Sequence, residues 1–222
     1  MPIPKKMKTP TRYTAKMLAL TQLQQWIIVG TLEPGEKVND AELAEAIGVS
    51  RTPIREALQI LELQGFVQMF PGKETIISPI SVEAVKQIYP LMASLEVLAL
   101  ETAMEYINEK EIEQIVEVNE HFKEALEENS TEKVIEYDFE FHQHITQAAH
   151  NTYINSFIDT LRLHISRMEY IFFKDYKYGM VSYTEHLAII DALKAKDKDK
   201  AIELLRANWL RPMEDIIHKV KN

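Results

Sequence analysis

Two rhythms of apolar and polar positions run along this chain, one with the spacing of a helix and one, over a short stretch near residue 70, with the alternation of strands. From Tyr13 to Val29, Met17, Leu20, Leu23 and Ile27 recur at helical intervals, and Gly30 closes the run. Leu32 to Val38, around Pro34-Gly35, predicts a turn and a short strand. The stretch NDAELAEAIGVSRTPIREALQILELQGFV, from Asn39 to Val67, then holds two short helical patterns meeting at a tight turn. Asn39 is placed to cap the first, with Glu42 in the capping-box position, and Leu43, Ala44 and Ile47 form its apolar face. Gly48 is the left-handed stop. Ser50 caps the second helix, and Pro53 falls in its first turn, where a missing N–H costs nothing. On that helix Ile54, Ala57, Leu58 and Leu61 share one face, and Arg51, Thr52, Arg55 and Gln59 share another. Val67 to Phe70 and Thr75 to Ile77 are strand-like, joined by Pro71-Gly72-Lys73-Glu74, a turn with a basic tip.

After Ser78-Pro79 the strand signal disappears. Six helices are predicted at roughly 81–107, 109–128, 131–149, 151–173, 180–196 and 198–219. Ser81 with Glu83 and Glu96, Thr131 with Glu132, Asn151, and Asp197 or Asp199 supply their starts. Gly179 is the only glycine after Gly72, so these helices are rarely interrupted. The fold class is therefore mainly α, an N-terminal winged helix-turn-helix followed by an all-α six-helix bundle. A Pro- and Lys-rich arm over residues 1–11 is expected to be disordered, with residues 12–78 and 81–222 as the two domains.

Composition narrows the chemistry. Apolar content of 46% and charged content of 27% over 222 residues are those of a globular chain. The absence of cysteine excludes disulfides, thiolate metal sites and cysteine nucleophiles. With no signal-peptide run and no stretch of membrane-spanning length, the expected compartment is the cytoplasm. Net charge of −9 argues at first against nucleic acid, but the charge is unevenly divided. Residues 1–80 carry nine Lys/Arg against eight Asp/Glu, and the remainder sixteen against twenty-six. Acidity belongs to the helical half, where it repels DNA and confines contact to the winged helix. There, apolar teeth on one side and guanidinium forks at i and i+4 on the other fit a recognition helix in a DNA major groove. Ser50, Arg51, Thr52 and Arg55, with Gly72 and Lys73 at the wing, are the candidate DNA contacts. The competing reading is a structural helical hairpin whose arginines are merely solvated.

The blocks PGEKV, ELAEAIGVSRTPIREAL and LELQGFV resemble the winged helix-turn-helix of GntR-type bacterial transcription regulators, over roughly residues 12–78. Further along, IYPLMASLEVLALETA, the D-x3-H of YDFEFHQH, Asn151 and EHLAIIDALKAKDKDKAIELL look like the FCD ligand-sensing domain of the FadR-type branch. Six helices match its VanR-like subgroup. The resemblance implies a homodimer that binds a palindromic operator and answers to a small-molecule effector.

Asp138 and His142, four apart, project from one face of a helix, and His186 opens a later one. A carboxylate and two imidazoles suit Zn, Ni or Mn, although from sequence alone a surface ion pair is the favoured explanation of Asp-x3-His. The FCD resemblance implies a divalent metal held by one Asp and three His inside the bundle. Asp138, His142 and His186 match three of those positions, and Asn208 occupies the fourth. Met92 stands where family members commonly carry an arginine that holds an effector carboxylate. Met92, Asn208, Arg162 and Arg167 are thus the candidate effector contacts, the two arginines as substitute cations. Tyr170, Phe172, Phe173, Tyr176, Tyr178 and Tyr183 cluster at a helix connection, as packing for a long loop or as a lid over the bundle. His121, His144, His150 and His164 have no comparable partners.

Nothing in the sequence marks catalysis: there is no glycine-rich phosphate loop and no HExxH. The expectation is a DNA-binding transcription regulator, most simply a repressor, and not an enzyme. Two alternatives stay open. One is a metal-dependent hydrolase using Glu185 or Glu140 as base, and the other an effector-independent architectural DNA binder.

Overall fold

The computed structural model describes residues 14–70, 74–173 and 176–221. The arm expected over residues 1–11, and Gly72 and Lys73 at the wing tip, lie outside the described residues. The chain divides into two compact units, Met1–Pro79 and Ile80–Asn222.

In the first unit, α1 (Ala15–Ile28) begins at Thr14, whose hydroxyl accepts from the Met17 N–H. It buries Ala19, Leu20, Leu23 and Ile27 against α3 (Arg51–Leu63). Between them lie β1 (Lys37–Val38) and α2 (Asp40–Ile47). Asn39 caps α2 by accepting from Ala41 N–H at 2.8 Å, rather than through the reciprocal pair with Glu42 that the sequence predicts. Gly48 adopts φ 77°, and its left-handed turn lets α3 start three residues later. Ser50 has the extended backbone of an N-cap, but its hydroxyl makes no capping hydrogen bond. The apolar face of α3 is as predicted: Ile54, Ala57, Leu58 and Leu61 are all buried. β2 (Val67–Met69) and β3 (Thr75–Ile77) form the wing, and β1 completes an antiparallel sheet of order β1-β3-β2. Gln68 and Lys37 both stand opposite Ile76.

The second unit contains six helices among the described residues: α4 (Val82–Ala103), α5 (Glu109–Glu127), α6 (Thr131–Gln147), α7 (Thr152–Phe172), α8 (Tyr176–Lys194) and α9 (Lys198–Lys221). Ser81 caps α4, Asn108 and Glu111 form a full capping box on α5, and Asn151 caps α7. α6 starts at Thr131 as predicted, with Ser130 at the cap position but no capping side-chain hydrogen bond. α4 is the spine, packing on α6, α7 and α9, while α5 packs on α6 and α8. Tyr89, Phe122, Phe141 and Phe172 are fully buried between these layers. Each such side chain contributes about 1.5–3 kcal/mol of apolar burial. One expectation is corrected: α8 begins at Tyr176, so no long aromatic loop separates it from α7. Tyr178 and Tyr183 are half-buried on α8 itself, with the Tyr183 hydroxyl donating to Glu120 at 2.8 Å.

Candidate DNA-reading face and metal centre

Burying the apolar stripe of α3 leaves Arg51, Thr52, Arg55 and Gln59 exposed together on its other side. The two arginines are not loose. Asp40, the first residue of α2, receives Arg51 Nη2 on Oδ1 at 2.6 Å and Arg55 Nε on Oδ2 at 2.5 Å. Burial raises the Asp40 carboxyl, but hydrogen bonds from Arg51 and Arg55, and their charge, outweigh it and hold it below its ordinary value. Nothing in the local sequence pattern flags this link, since Asp40 sits eleven and fifteen residues from its partners.

In the helical unit, Asp138 and His142 of α6 and His186 of α8 converge. One potential ligand atom from each lies within 4.8 Å of the others, and all three residues are buried. A fully buried triplet does not fit the surface ion-pair reading of Asp-x3-His. The surrounding residues fix both rings. Glu96 Oε2 accepts from His142 Nδ1 at 2.7 Å and from Trp209 Nε1 at 2.7 Å. Asn119 Oδ1 accepts from His186 Nδ1 at 2.9 Å, and Phe141 stacks on the His186 ring at 3.8 Å. In a neutral ring these bonds leave the lone pair on the distal nitrogen, the atom a metal-binding imidazole uses. His186 Nε2 is buried without a hydrogen-bond partner and lies 3.6 Å from Asp138 Oδ1. An orphaned ring nitrogen aimed at a carboxylate is costly unless something electrophilic joins them, and a divalent cation fits that description. As site residues Glu96 and Asn119 escaped the sequence reading, although each shows as a polar residue within a buried apolar stripe.

Electrostatics divide the two imidazoles, favouring the neutral form of His186 and the protonated form of His142 while no cation is bound. Burial depresses His186, and the positive charges of His142 and Arg211 push it further, well below its ordinary range. For His142 burial acts downward, yet the charge and hydrogen bond of Glu96, with Asp138 behind them, carry it upward. Burial pushes Asp138 up to about 6, opposed by His142 and aided by Glu96. Glu169 on α7 is raised well above the carboxylate range by burial, then by the charges of Asp138 and Glu96.

Beside the three residues is a small cavity of about 10 Å³ lined by Asp138, His142, Glu169, Ser182, Asn208 and Trp209, among others. That is room for about one water. Asn208 donates its Nδ2 to Glu185 at 2.8 Å, and its side chain also hydrogen-bonds His142, so it borders the three residues. Glu185 also takes Arg211 on both oxygens, at 2.5 and 3.0 Å, so this candidate base is committed to a structural pair. Glu140, the other candidate, lies 3.9 Å from His144 and is half-exposed. Of the candidate effector contacts, Asn208 lines the cavity, while Met92, Arg162 and Arg167 are not among the residues that do. Met92 is buried in α4, Arg162 lies over the Phe139 ring at 3.6 Å, and burial lowers Arg167 to about 10.

Residues 19–77 match the model for bacterial regulatory proteins of the gntR family, and residues 87–210 match that for the FCD domain. The chain is 28% identical over 217 residues to the uncharacterized HTH-type transcriptional regulator YdhC of Bacillus subtilis, covering 96% of this chain and 95% of that one. It is 25% identical to the HTH-type transcriptional repressor RspR of Escherichia coli, covering 90% and 87%. In structure it resembles E. coli McbR/YncC, with a TM-score of 0.80 at 21% identity over 94% of this chain and 99% of the other. A putative GntR transcriptional regulator from Rhodococcus gives 0.78 at 19% identity, over 91% and 97%. Because the FCD match alone takes in more than half the chain and follows the GntR match in order, the protein belongs to the GntR family of DNA-binding transcription regulators, in the FadR-type branch that carries an FCD domain.

Proposed function

We propose that this protein represses transcription as a homodimer on a palindromic operator, and that a small molecule bound in the helical unit sets operator affinity. Residues 12–78 serve as the DNA-binding domain, and residues 81–222 as the effector-binding and dimerisation domain. The observation that carries the reading is the exposed face of Arg51, Thr52, Arg55 and Gln59 on an α3 whose opposite side is fully buried. Ser50 supports that face from the cap position, and Gly72 and Lys73 extend contact from the wing. One such unit reads only a few base pairs, so a two-fold dimer doubles both the site and its specificity. Relatives named as repressors, RspR among them, support the sign of control. Such a protein works where the chromosome is, in the cytoplasm, and no helix among the described residues is long and apolar enough to cross a membrane.

Asp138, His142 and His186 would hold one divalent ion, Zn, Ni or Mn, with Asn208 beside them at the position of the family's fourth ligand. The ion would supply a buried positive charge for an effector oxygen. Glu96 and Asn119 orient the two imidazoles, and Asp138 balances the charge.

Selection of duplexes from a random library by the full chain tests the DNA reading. It should return a two-fold site, and Arg51→Ala and Arg55→Ala should each weaken it by about 1–3 kcal/mol. Variants that bind the selected duplex like the parent at matched salt would remove α3 from the interface. Elemental analysis of protein purified without an affinity tag tests the metal. Stoichiometric ion absent from His186→Ala supports the site, and a metal-free parent whose melting Zn, Ni and Mn leave unmoved sinks it.

A further inference from the structure

We infer that Asp40 is a positioning residue for DNA recognition, holding Arg51 and Arg55 so that their remaining N–H groups meet base edges in preference to phosphates. The inference rests on the DNA-reading role of α3 proposed above. Its observation is geometric. The two oxygens of one carboxylate are divided between two guanidinium groups, Oδ1 to Arg51 Nη2 and Oδ2 to Arg55 Nε. The Asp40 side chain is only 17% exposed, while those of Arg51 and Arg55 are 56% and 60% exposed. Each arginine is thus anchored at its inner edge and open at its outer one. Arg55 uses Nε on Asp40 and keeps both Nη groups, the end-on fork that fits guanine O6 and N7. Arg51 uses Nη2 and keeps Nη1 and Nε.

Asp40 is itself fixed. It is the first residue of α2, directly after the Asn39 cap, so its backbone is set before its side chain reaches across to α3. The other carboxylates of the groove between α3 and the sheet are engaged elsewhere. Glu62 accepts from the Met69 N–H, and Glu74 pairs with Lys37. Two consequences follow from general physics. Long, flexible cations are ordered before DNA arrives, which lowers the entropy lost on docking. One unit of negative charge beside two positive ones also weakens attraction to any phosphate, while base-edge hydrogen bonds still form. Both effects raise the ratio of specific to non-specific binding.

The test uses the full chain and two probes across a salt series: the duplex that the parent selects from a random library, and a scrambled duplex of equal length. Asp40→Asn keeps the shape and removes the charge. The expected result is tighter binding to the scrambled duplex, a loss of roughly tenfold or more in the specificity ratio, and a salt slope on the scrambled duplex steeper by about 0.9 for each phosphate newly contacted. Asp40→Glu, which keeps the charge, should stay near the parent in scrambled-duplex affinity and slope. An unchanged ratio in Asp40→Asn overturns the inference. So does equal weakening on both duplexes with an unchanged slope, the result of a merely structural role in α2, and so does an Asp40→Glu indistinguishable from Asp40→Asn. If Asp40→Asn melts below the assay temperature, arginine nitrogen NMR of the parent decides. Arg55 Nε–H should be protected from solvent exchange both free and on the selected duplex, and rapid exchange in both states overturns the inference. Arg51→Ala and Arg55→Ala run alongside separate the two failures. If they bind like the parent, α3 does not read DNA; if they lose binding while Asp40→Asn keeps its ratio, only the role of Asp40 is lost.

Discussion

Glu96 shows how much a single residue decides in the helical unit. It is a charged side chain among Met92, Ala93, Val97 and Leu100, all buried, and it stays there because one oxygen accepts from both His142 and Trp209. Replacing it with alanine leaves two buried donors without an acceptor, at a cost of about 1–3 kcal/mol each. Glu96→Gln keeps an acceptor and removes the charge, so its stability should stay closer to the parent. Metal affinity should fall in both variants, by about 10–100-fold, because the acceptor that orients a ligating imidazole is disturbed. Urea unfolding and metal titration separate the two effects. Equal stability of parent and Glu96→Ala would show that the pairing contributes nothing. Residues of this kind are half-legible in a sequence: Glu96 and Asn119 interrupt apolar stripes, but the donors they serve lie on other helices. Arg51 and Arg55 were fully legible, because the amphipathic pattern of α3 alone exposes them. Their shared tie to Asp40 was not, since it depends on how α2 and α3 cross.

At the scale of elements, α8 is where sequence and structure part, and Gly179 explains why. Glycine inside a helical pattern costs about 1 kcal/mol relative to alanine and reads as a boundary. The sequence therefore places the helix start at residue 180, yet α8 runs through Gly179 from Tyr176. The glycine is there for packing. A Cβ on it would stand 2.2 Å from Leu126 Cδ2 on α5, and Leu126 is itself buried at 2% exposure. Gly179→Ala thus sets better helix propensity against a steric overlap that the α5–α8 contact has little room to relieve. Overpacking of this kind costs about 1–3 kcal/mol and should win, lowering the urea midpoint. A midpoint equal to or above the parent's would mean that Leu126 simply rotates away. The other boundaries were legible because caps and stops are local chemistry. Asn151, Ser81 and Gly48 each act within a few residues of their own position, as does the capping box of Asn108 and Glu111, which the sequence reading did not pick out. The capping box read at Asn39 failed for the same reason seen from the other side: a Glu at the right spacing does not oblige its side chain to turn back.

For the whole molecule, the size of the buried cavity constrains how an effector can act. A space of about 10 Å³ beside Asp138 and His142 takes about one water, so anything larger must bind an arrangement in which the bundle has opened. Phe172 and Phe173 at the end of α7 and Pro212 in α9 line that cavity, and they are what an entering molecule displaces. Pro212 has no N–H to give the carbonyl one turn earlier, at Asn208, which loosens α9 beside the site. An effector of this kind selects a minority state, and its influence on DNA equals its preference for that state over the closed one. In the proposed dimer, half-sites on a rigid duplex are fixed in spacing, so a small rotation of each DNA-reading unit would suffice to break register on one of them. Coupling of about 1–3 kcal/mol, or about 5–150-fold in affinity, is then expected between effector and operator. Thermodynamic reciprocity gives the measurement its force. Candidate metabolites titrated into the full chain, free and on its selected duplex, must change duplex affinity by the same factor by which the duplex changes theirs. A metabolite that binds the helical unit, raises the melting temperature and leaves duplex affinity unchanged would deny that unit its sensing role, and an effector-independent DNA binder would then describe the molecule better.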